Sequence, residues 1–428
     1  MSISELYQIY QKHPVATTDS RNCPPGAVFF ALKGESFDGN RFAANALDAG
    51  AAYAVIDDPE MKTDERMILT ENVLQTLQQL ACHHRTVLGT PVIGITGTNG
   101  KTTTKELAAS VLSASYRLLY TQGNLNNHIG VPLTLLRLTH DHEMAVVEMG
   151  ANHPDEIRAL AEMARPDYGI ITNVGYAHLE GFGSFDGVLR AKGELYDYLR
   201  HTNGKVFIHK ENEYLQKIAC GLEQISYGES DDAFVSGRAT GCHPFLSLEW
   251  KRQKGHTHQI ATRLAGNYNL YNVLAAIAVG CYFNVPAEAI NRAIAGYEPS
   301  NNRSQWKKTV HNTLIIDAYN ANPSSMDAAL KNFVSLPVAP KVVILGDMLE
   351  LGAESLRLHA AIVEKLKAYT FDSVFLCGNH FAAAGEIFPC FPDAGALKNH
   401  LANHPLKDCH ILIKGSHGIH LERIVDCL

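Results

Sequence analysis

No Cys-x-x-Cys pair occurs anywhere in this chain, and its nine cysteines are an odd number scattered from Cys23 to Cys427. That usage excludes a disulfide framework and a zinc ribbon and belongs to a reducing compartment. Runs of Lys or Arg are missing as well, and the formal net charge is −7, which argues against a general nucleic-acid binder. The longest apolar stretch, Val273 to Phe283, falls far short of the roughly 18 residues that cross a bilayer. Met1 to Gln8 carry neither a basic nor an apolar segment, so no secretory leader is expected. There is no short-period repeat and no low-complexity tract. The expectation is a soluble, cytoplasmic protein with no nucleic-acid partner and no membrane span.

At 428 residues, 46% hydrophobic and 19% charged, the chain is too long for one core, and its length suits about three domains. Its most informative stretch is Thr96-Gly97-Thr98-Asn99-Gly100-Lys101-Thr102-Thr103-Thr104. An apolar run (Val92, Ile93, Ile95) precedes it, and a helical pattern with Leu107, Val111 and Leu112 follows. Strand, glycine-rich turn and helix start are the context of a phosphate-binding loop. Small residues let successive backbone N–H groups turn inward on a polyphosphate. Lys101 adds a charge, and Thr102 a hydroxyl suited to Mg²⁺. The strict G-x-x-x-x-G-K-[ST] spacing is not met, because Ile95 stands where the first Gly belongs. A nucleoside triphosphate is the expected ligand.

Residues 1–84 read as a small α/β unit with runs at Ala27–Leu32 and Ala51–Ile56 and no nucleotide loop. Ser20 and Arg21 precede the first run, where an Arg fork could hold phosphate or carboxylate, although by residue type alone a turn with a solvated Arg is the better explanation. From 85 to 297 strand-like runs (Val92–Ile95, Ala145–Val147, Tyr168–Ile171, Val206–Ile208) alternate with helical patterns, which predicts a mostly parallel, helix-covered sheet. Ligands of such sheets sit at the carboxyl ends of strands. Glu148 follows one run and His178 lies just beyond another, so an acid and an imidazole are expected at the edge that carries the phosphate loop. Asn124, Asn126 and Asn127 form an amide-rich stretch suited either to a substrate or to turns. Lys192 falls in a helical pattern, where a lone Lys is ordinarily solvated. A polar break, Glu298-Pro299-Ser300-Asn301-Asn302, marks a second boundary. Residues 298–428 alternate again, with polar residues after each run, and read as a Rossmann-like doubly wound sheet without a phosphate loop.

Taken together these residues resemble the Mur ligases, ATP-dependent amide-bond-forming enzymes of peptidoglycan precursor synthesis. The family-wide marks are Gly97-Thr98-Asn99-Gly100-Lys101-Thr102, Glu148, His178, Lys192, and Asn269 with Asn272. Tyr319-Asn320-Ala321-Asn322-Pro323 and Gly346-Asp347-Met348-Leu349-Glu350-Leu351-Gly352 are similar to the branch that adds D-alanyl-D-alanine, as are Asp19-Ser20-Arg21 and the Asn124 stretch. Two positions depart from the pattern. Tyr268 stands where a His is usual, so no His contact carries over, and Arg303 follows Asn302 rather than a Gly.

The resemblance implies three domains, an N-terminal one for the UDP-substrate, a central ATPase-type sheet and a C-terminal Rossmann-like one. It implies a monomer that uses ATP and two Mg²⁺ to join UDP-N-acetylmuramoyl-tripeptide to D-alanyl-D-alanine through an acyl phosphate. Lys101, Glu148, His178 and Lys192 would be catalytic. The metals would be held by Thr102 and Glu148, and by His178 with a carbamylated Lys192. Nucleotide contacts fall to Gly97 through Thr103, Asn269, Arg303 and Asp317, and substrate contacts to Ser20, Arg21, Asn124, Asn127, Asn322 and Asp347. His128 and His417 receive no role. Two rivals are a sister ligase adding a single diamino acid, against which the absence of an Asp-Asn-Pro-Arg motif counts, and an ATPase switch protein, which would not need Glu148, His178 and Lys192 together.

Overall fold

The computed structural model describes residues 1–299, 302–385 and 387–428, so Ser300 and Asn301 of the expected polar break lie outside the described residues. Among the described residues three sheets form, of four, nine and six strands. The first is wholly parallel, in the order Ala16–Thr17, Val28–Phe30, Tyr53–Ile56, Met67–Leu69. Its strands are only two to four residues long, and helix Ile3–Lys12 carries Tyr10 and Tyr7 back onto helix Val73–Leu88. That second helix runs unbroken across the division expected between residues 84 and 85. Its apolar face (Leu77, Leu80, Ala81) is continuous, and it ends only where Gly89 turns left-handed at φ 65.

In the nine-stranded sheet, Val92–Thr96 lies between Met144–Glu148 and Tyr168–Ile171, parallel to both. All five of its residues are buried, as a strand covered on both faces must be. Register places Ile95 opposite Glu148 and Thr96 opposite Ile171, which brings the polar segments after all three strands to one edge. Helix Lys101–Leu112 packs against Leu270–Tyr282, a helix apolar on nearly every side. They approach so closely that a Cβ on Gly280 would stand 2.5 Å from Val111. The parallel part agrees with the sequence reading. An antiparallel meander, Val235–Cys242, Phe245–Arg252 and His258–Ala265, extends it and was not foreseen. Its signal was present, since Leu246, Leu248 and Trp250 alternate with more exposed neighbours.

The six-stranded sheet runs Gln305–Lys308, Thr313–Asp317, His410–Lys414, Lys341–Gly346, Ser373–Cys377, Cys390–Phe391, parallel except for the first pair. Thr313–Asp317 therefore ends in an acid directly opposite Lys414. No helix among the described residues is long and apolar enough to cross a membrane.

Candidate active site

The phosphate loop is shaped by two glycines for which no other residue would serve. Gly97 (φ 140) passes so near Thr172 that a Cβ would lie 2.1 Å from its hydroxyl, and Gly100 (φ 78) would meet Asn272 at 2.4 Å. The segment after Tyr168–Ile171 then fastens the loop. Asn99 N–H donates to Asn173 Oδ1 at 3.0 Å, while Thr172 Oγ1 and Asn173 Nδ2 donate to the Asn99 carbonyl at 2.6 and 2.9 Å. Lys101 curls back over the turn, its ammonium donating to the Gly97 and Thr98 carbonyls at 2.7 and 3.2 Å. Burial lowers its pKa to about 8, against the opposing pull of Glu148 and with a smaller push from Arg303.

Glu148 is 1% exposed. Its Oε1 accepts from Thr102 Oγ1 at 3.1 Å and Asn126 Nδ2 at 2.8 Å, and its Oε2 is buried with no partner. Among the described residues no three His, Cys, Asp or Glu side chains cluster as an all-protein metal site. Mg²⁺ does not need one, since one or two carboxylates, phosphate oxygens and water usually complete its shell. An unpartnered carboxylate oxygen beside a threonine hydroxyl fits that donor set.

His178 lines the same cavity at φ 50, with Nδ1 against the Glu350 carboxylate. Lys192 is not the solvated helical residue its sequence context suggested. It is 1% exposed, donates to the Ala151 carbonyl at 3.0 Å and lies 5.0 Å from the centre of the Phe182 ring. Burial first, and the charge of Lys101 second, lower its pKa to about 7. Its side chain is not part of the cavity wall; the backbone it bonds to is. As an ammonium it cannot ligate a cation, whereas a carbamate on the same nitrogen would turn it into an anionic oxygen donor.

The six-stranded sheet supplies the opposite wall. Arg303 lies 3.7 Å over the Tyr319 ring, and Asp317 accepts from Ser304 N–H at 3.2 Å while pairing with the buried Lys414 ammonium. Asn302, where the family pattern has glycine, sits at φ 56, a left-handed conformation that Asn tolerates. Tyr268, in place of the usual His, is hydrogen-bonded through its hydroxyl to Ser304 Oγ at 2.8 Å. Asn269 is pinned from below, donating to the Ala265 carbonyl at 2.9 Å and accepting from Asn272 at 3.0 Å. The two walls touch through amides: Asn322 Nδ2 donates to Asn99 Oδ1 at 2.8 Å and Asn99 Nδ2 to Ser324 Oγ at 2.9 Å.

These groups enclose a cavity of about 720 Å³. Thr98 to Lys101, Thr103, Glu148, His178, Asn269, Arg303, Asp317 and Asn127 all line it. Thr102 lies just below through its bond to Glu148.

Several expected substrate residues lie apart from this cavity. Arg21 is exposed and folds onto Asp19 at 3.0 Å, with Ser20 beside it on the first sheet's surface. Asn124 is exposed and away from the cavity. Asp347 is 2% exposed, and its carboxylate accepts the His380 and Phe381 N–H groups at 2.9 and 2.8 Å, which makes it a cap for helix Asn379–Ala384 rather than a cavity residue. Asn322 caps helix Pro323–Ser335 while also reaching Asn99, so its amide serves the interface between walls. The sequence assigned no role of their own to Asn126, Tyr268, Lys414 or Glu350. Asn126 lay within the amide-rich stretch it had flagged, and Lys414 ends a strand as ligand residues do.

Known proteins share the sequence and fold of this chain. The family model described as Mur ligase middle domain matches residues 95–280, Mur ligase, glutamate ligase domain matches 302–416, and Mur ligase family, catalytic domain matches 15–85. The UDP-N-acetylmuramoyl-tripeptide–D-alanyl-D-alanine ligase of Bacillus subtilis is 35% identical over 429 residues, covering 96% of this chain and 92% of that one. Its counterpart in Escherichia coli is 34% identical over 421 residues, covering 96% and 93%. The crystal structure of MurF from Acinetobacter baumannii superposes with a TM-score of 0.88 at 29% identity, covering 99% and 98%. Fold, site and relatives define one class, and the chain belongs to the Mur ligase family. Within that family it is similar over nearly its whole length to the D-alanyl-D-alanine-adding ligases, the MurF type.

Proposed function

We propose that this chain is an ATP-dependent ligase that joins D-alanyl-D-alanine to UDP-N-acetylmuramoyl-tripeptide. The observation that carries the reading is the single cavity in which the phosphate loop, Glu148, His178, Arg303 and Asp317 meet from two sheets. A carboxylate resists attack by an amine until it is activated. ATP supplies the activation by transferring its γ-phosphoryl to the tripeptide carboxyl, giving an acyl phosphate that the dipeptide amine then displaces. Both steps gather negative charge in one place, so fixed cations are the main catalytic requirement. Backbone N–H groups of Gly97 to Thr103 and the Lys101 ammonium hold the β- and γ-phosphates. Arg303 approaches the phosphates and Asp317 the nucleoside from the opposite wall, with Asn269 toward adenine. Closure of the two walls through Asn99, Asn322 and Ser324 keeps water from the acyl phosphate.

Glu148 Oε2 and Thr102 Oγ1 would hold a Mg²⁺, which would neutralise the phosphates. His178, with Lys192 as a carbamate, would be the donor set for a second. Ser20, Arg21, Asn124 and Asn127 are assigned to the UDP-sugar peptide; the first three lie outside the cavity, so they bear on the part of that long substrate farthest from the reaction. Residues 1–84, 85–297 and 298–428 are taken as UDP-substrate, ATP and closure units of a cytoplasmic monomer.

The test is ADP release with Mg·ATP and UDP-N-acetylmuramoyl-tripeptide, comparing D-alanyl-D-alanine with single diamino acids. Release that requires the dipeptide and matches pentapeptide formation is expected. Preference for a diamino acid would move the chain to the sister activity, and hydrolysis indifferent to either would favour a nucleotide switch.

A further inference from the structure

The loop after strand Lys341–Gly346 takes no part in the reaction described above, yet one of its side chains reaches across to the central sheet. The Glu350 carboxylate meets His178 Nδ1, and the Glu350 carbonyl accepts from Glu180 N–H at 3.2 Å. Gly352 packs on the same segment, where an added Cβ would stand 3.3 Å from the Glu180 Cα. Both partners of the side-chain contact have left-handed backbones, φ 50 at His178 and φ 62 at Glu350. Neither is glycine, and Glu is a poor occupant of that region. Such conformations persist where the surroundings over-determine them, and they gather at functional sites.

A neutral imidazole has one N–H and one lone pair, and an ionised carboxylate can only accept. Glu350 therefore takes the proton-bearing Nδ1, and Nε2 is left as the lone-pair nitrogen of a ring that lines the cavity. An imidazole that must present one particular nitrogen is commonly oriented in this way by an acceptor on the other.

We propose that Glu350 is a positioning residue that holds His178 in the Nδ1–H tautomer, so that Nε2 keeps its lone pair free for the cavity that the ring lines. The use made of that lone pair rests on the ligase reading, whereas the tautomer does not. Because the carboxylate and the imidazole come from different sheets, the correct tautomer is enforced only while the walls are together.

The test uses full-length protein labelled with ¹⁵N-histidine, with the His178 signal assigned by its loss in His178→Gln. Wild type and Glu350→Gln, whose amide oxygen can still accept, are expected to show protonated Nδ1, and Glu350→Ala to shift toward the Nε2–H form. In steady-state ligation, Glu350→Ala is expected to lower kcat by about 10–100-fold with little change in KM for ATP or dipeptide. Glu350→Gln should recover most of that loss, which a role for the negative charge itself would not allow. An unchanged tautomer in Glu350→Ala overturns the proposal, as does a loss confined to the dipeptide KM, or a Gln variant no better than Ala. Wild-type protein that failed to ligate would refute the ligase reading alone, because the tautomer comparison still decides the role of Glu350.

Discussion

Replacing Lys192 with Met keeps a long unbranched side chain while removing an amine whose burial has an unusual chemical consequence. Carbamate formation joins a neutral amine nitrogen to the carbon of CO₂ and releases one proton. At pH 7.5 an ordinary lysine, titrating near 10.5, is only about 0.1% neutral. With its pKa lowered to about 7 by burial, Lys192 is about three-quarters neutral at the same pH, a gain of several hundred-fold in reactive amine. The sign follows directly. The carbamate content should be high above pH 7 and fall as the pH drops below it, where the ammonium takes over. Protein equilibrated with ¹³C-bicarbonate should give one carbamate carbon signal by NMR between pH 7 and 8.5, weakening toward pH 6 and absent from Lys192→Met. Ligation by wild type should fall when CO₂ is stripped from the buffer and return on adding bicarbonate, and Lys192→Ala should respond to neither. Undiminished turnover of Lys192→Ala, or a wild-type rate indifferent to CO₂, would refute the reasoning.

Glu148→Gln, which removes the charge but keeps the acceptor for Thr102, is expected to cost about 10²–10³ in kcat and to raise the Mg²⁺ concentration needed for ADP release. Asp347→Ala strands the buried Phe381 N–H and frees the part-buried His380 N–H, and should destabilise by about 1–3 kcal/mol, visible as a lower melting temperature with an unchanged dipeptide KM; the reverse outcome would return Asp347 to the substrate site. Asn322→Asp keeps the oxygen that caps helix Pro323–Ser335 but loses the donor to Asn99. Its melting temperature should hold while KM for ATP rises about fivefold, the equivalent of one hydrogen bond worth about 1 kcal/mol.

The phosphate loop and the alternation of strands and helices are legible in the sequence itself, because both depend on near neighbours. Gly97 and Gly100 answer to backbone angles at their own positions, and a run such as Val92–Ile95 announces a strand buried on both faces whatever it packs against. The rule that ligands gather at the carboxyl ends of parallel strands then predicted that Glu148 and His178 would converge, and both line the cavity with Lys101. Contacts between distant segments had no such local trace. Lys192 reads as a solvated helical lysine until Phe182 and the Ala151 carbonyl close over it, and its depressed pKa comes from that enclosure. Asp347 and Asn322 both looked like ligand residues at strand ends, but folding sets one under the amides of a helix and the other between two walls. Glu350 and His178 are 172 residues apart in the chain, so only the approach of the two sheets could make them partners. Residue order settled which local structures form and which chemistry is available; burial and long-range approach, properties of the packed whole, settled which charges survive and which side chains face the substrate.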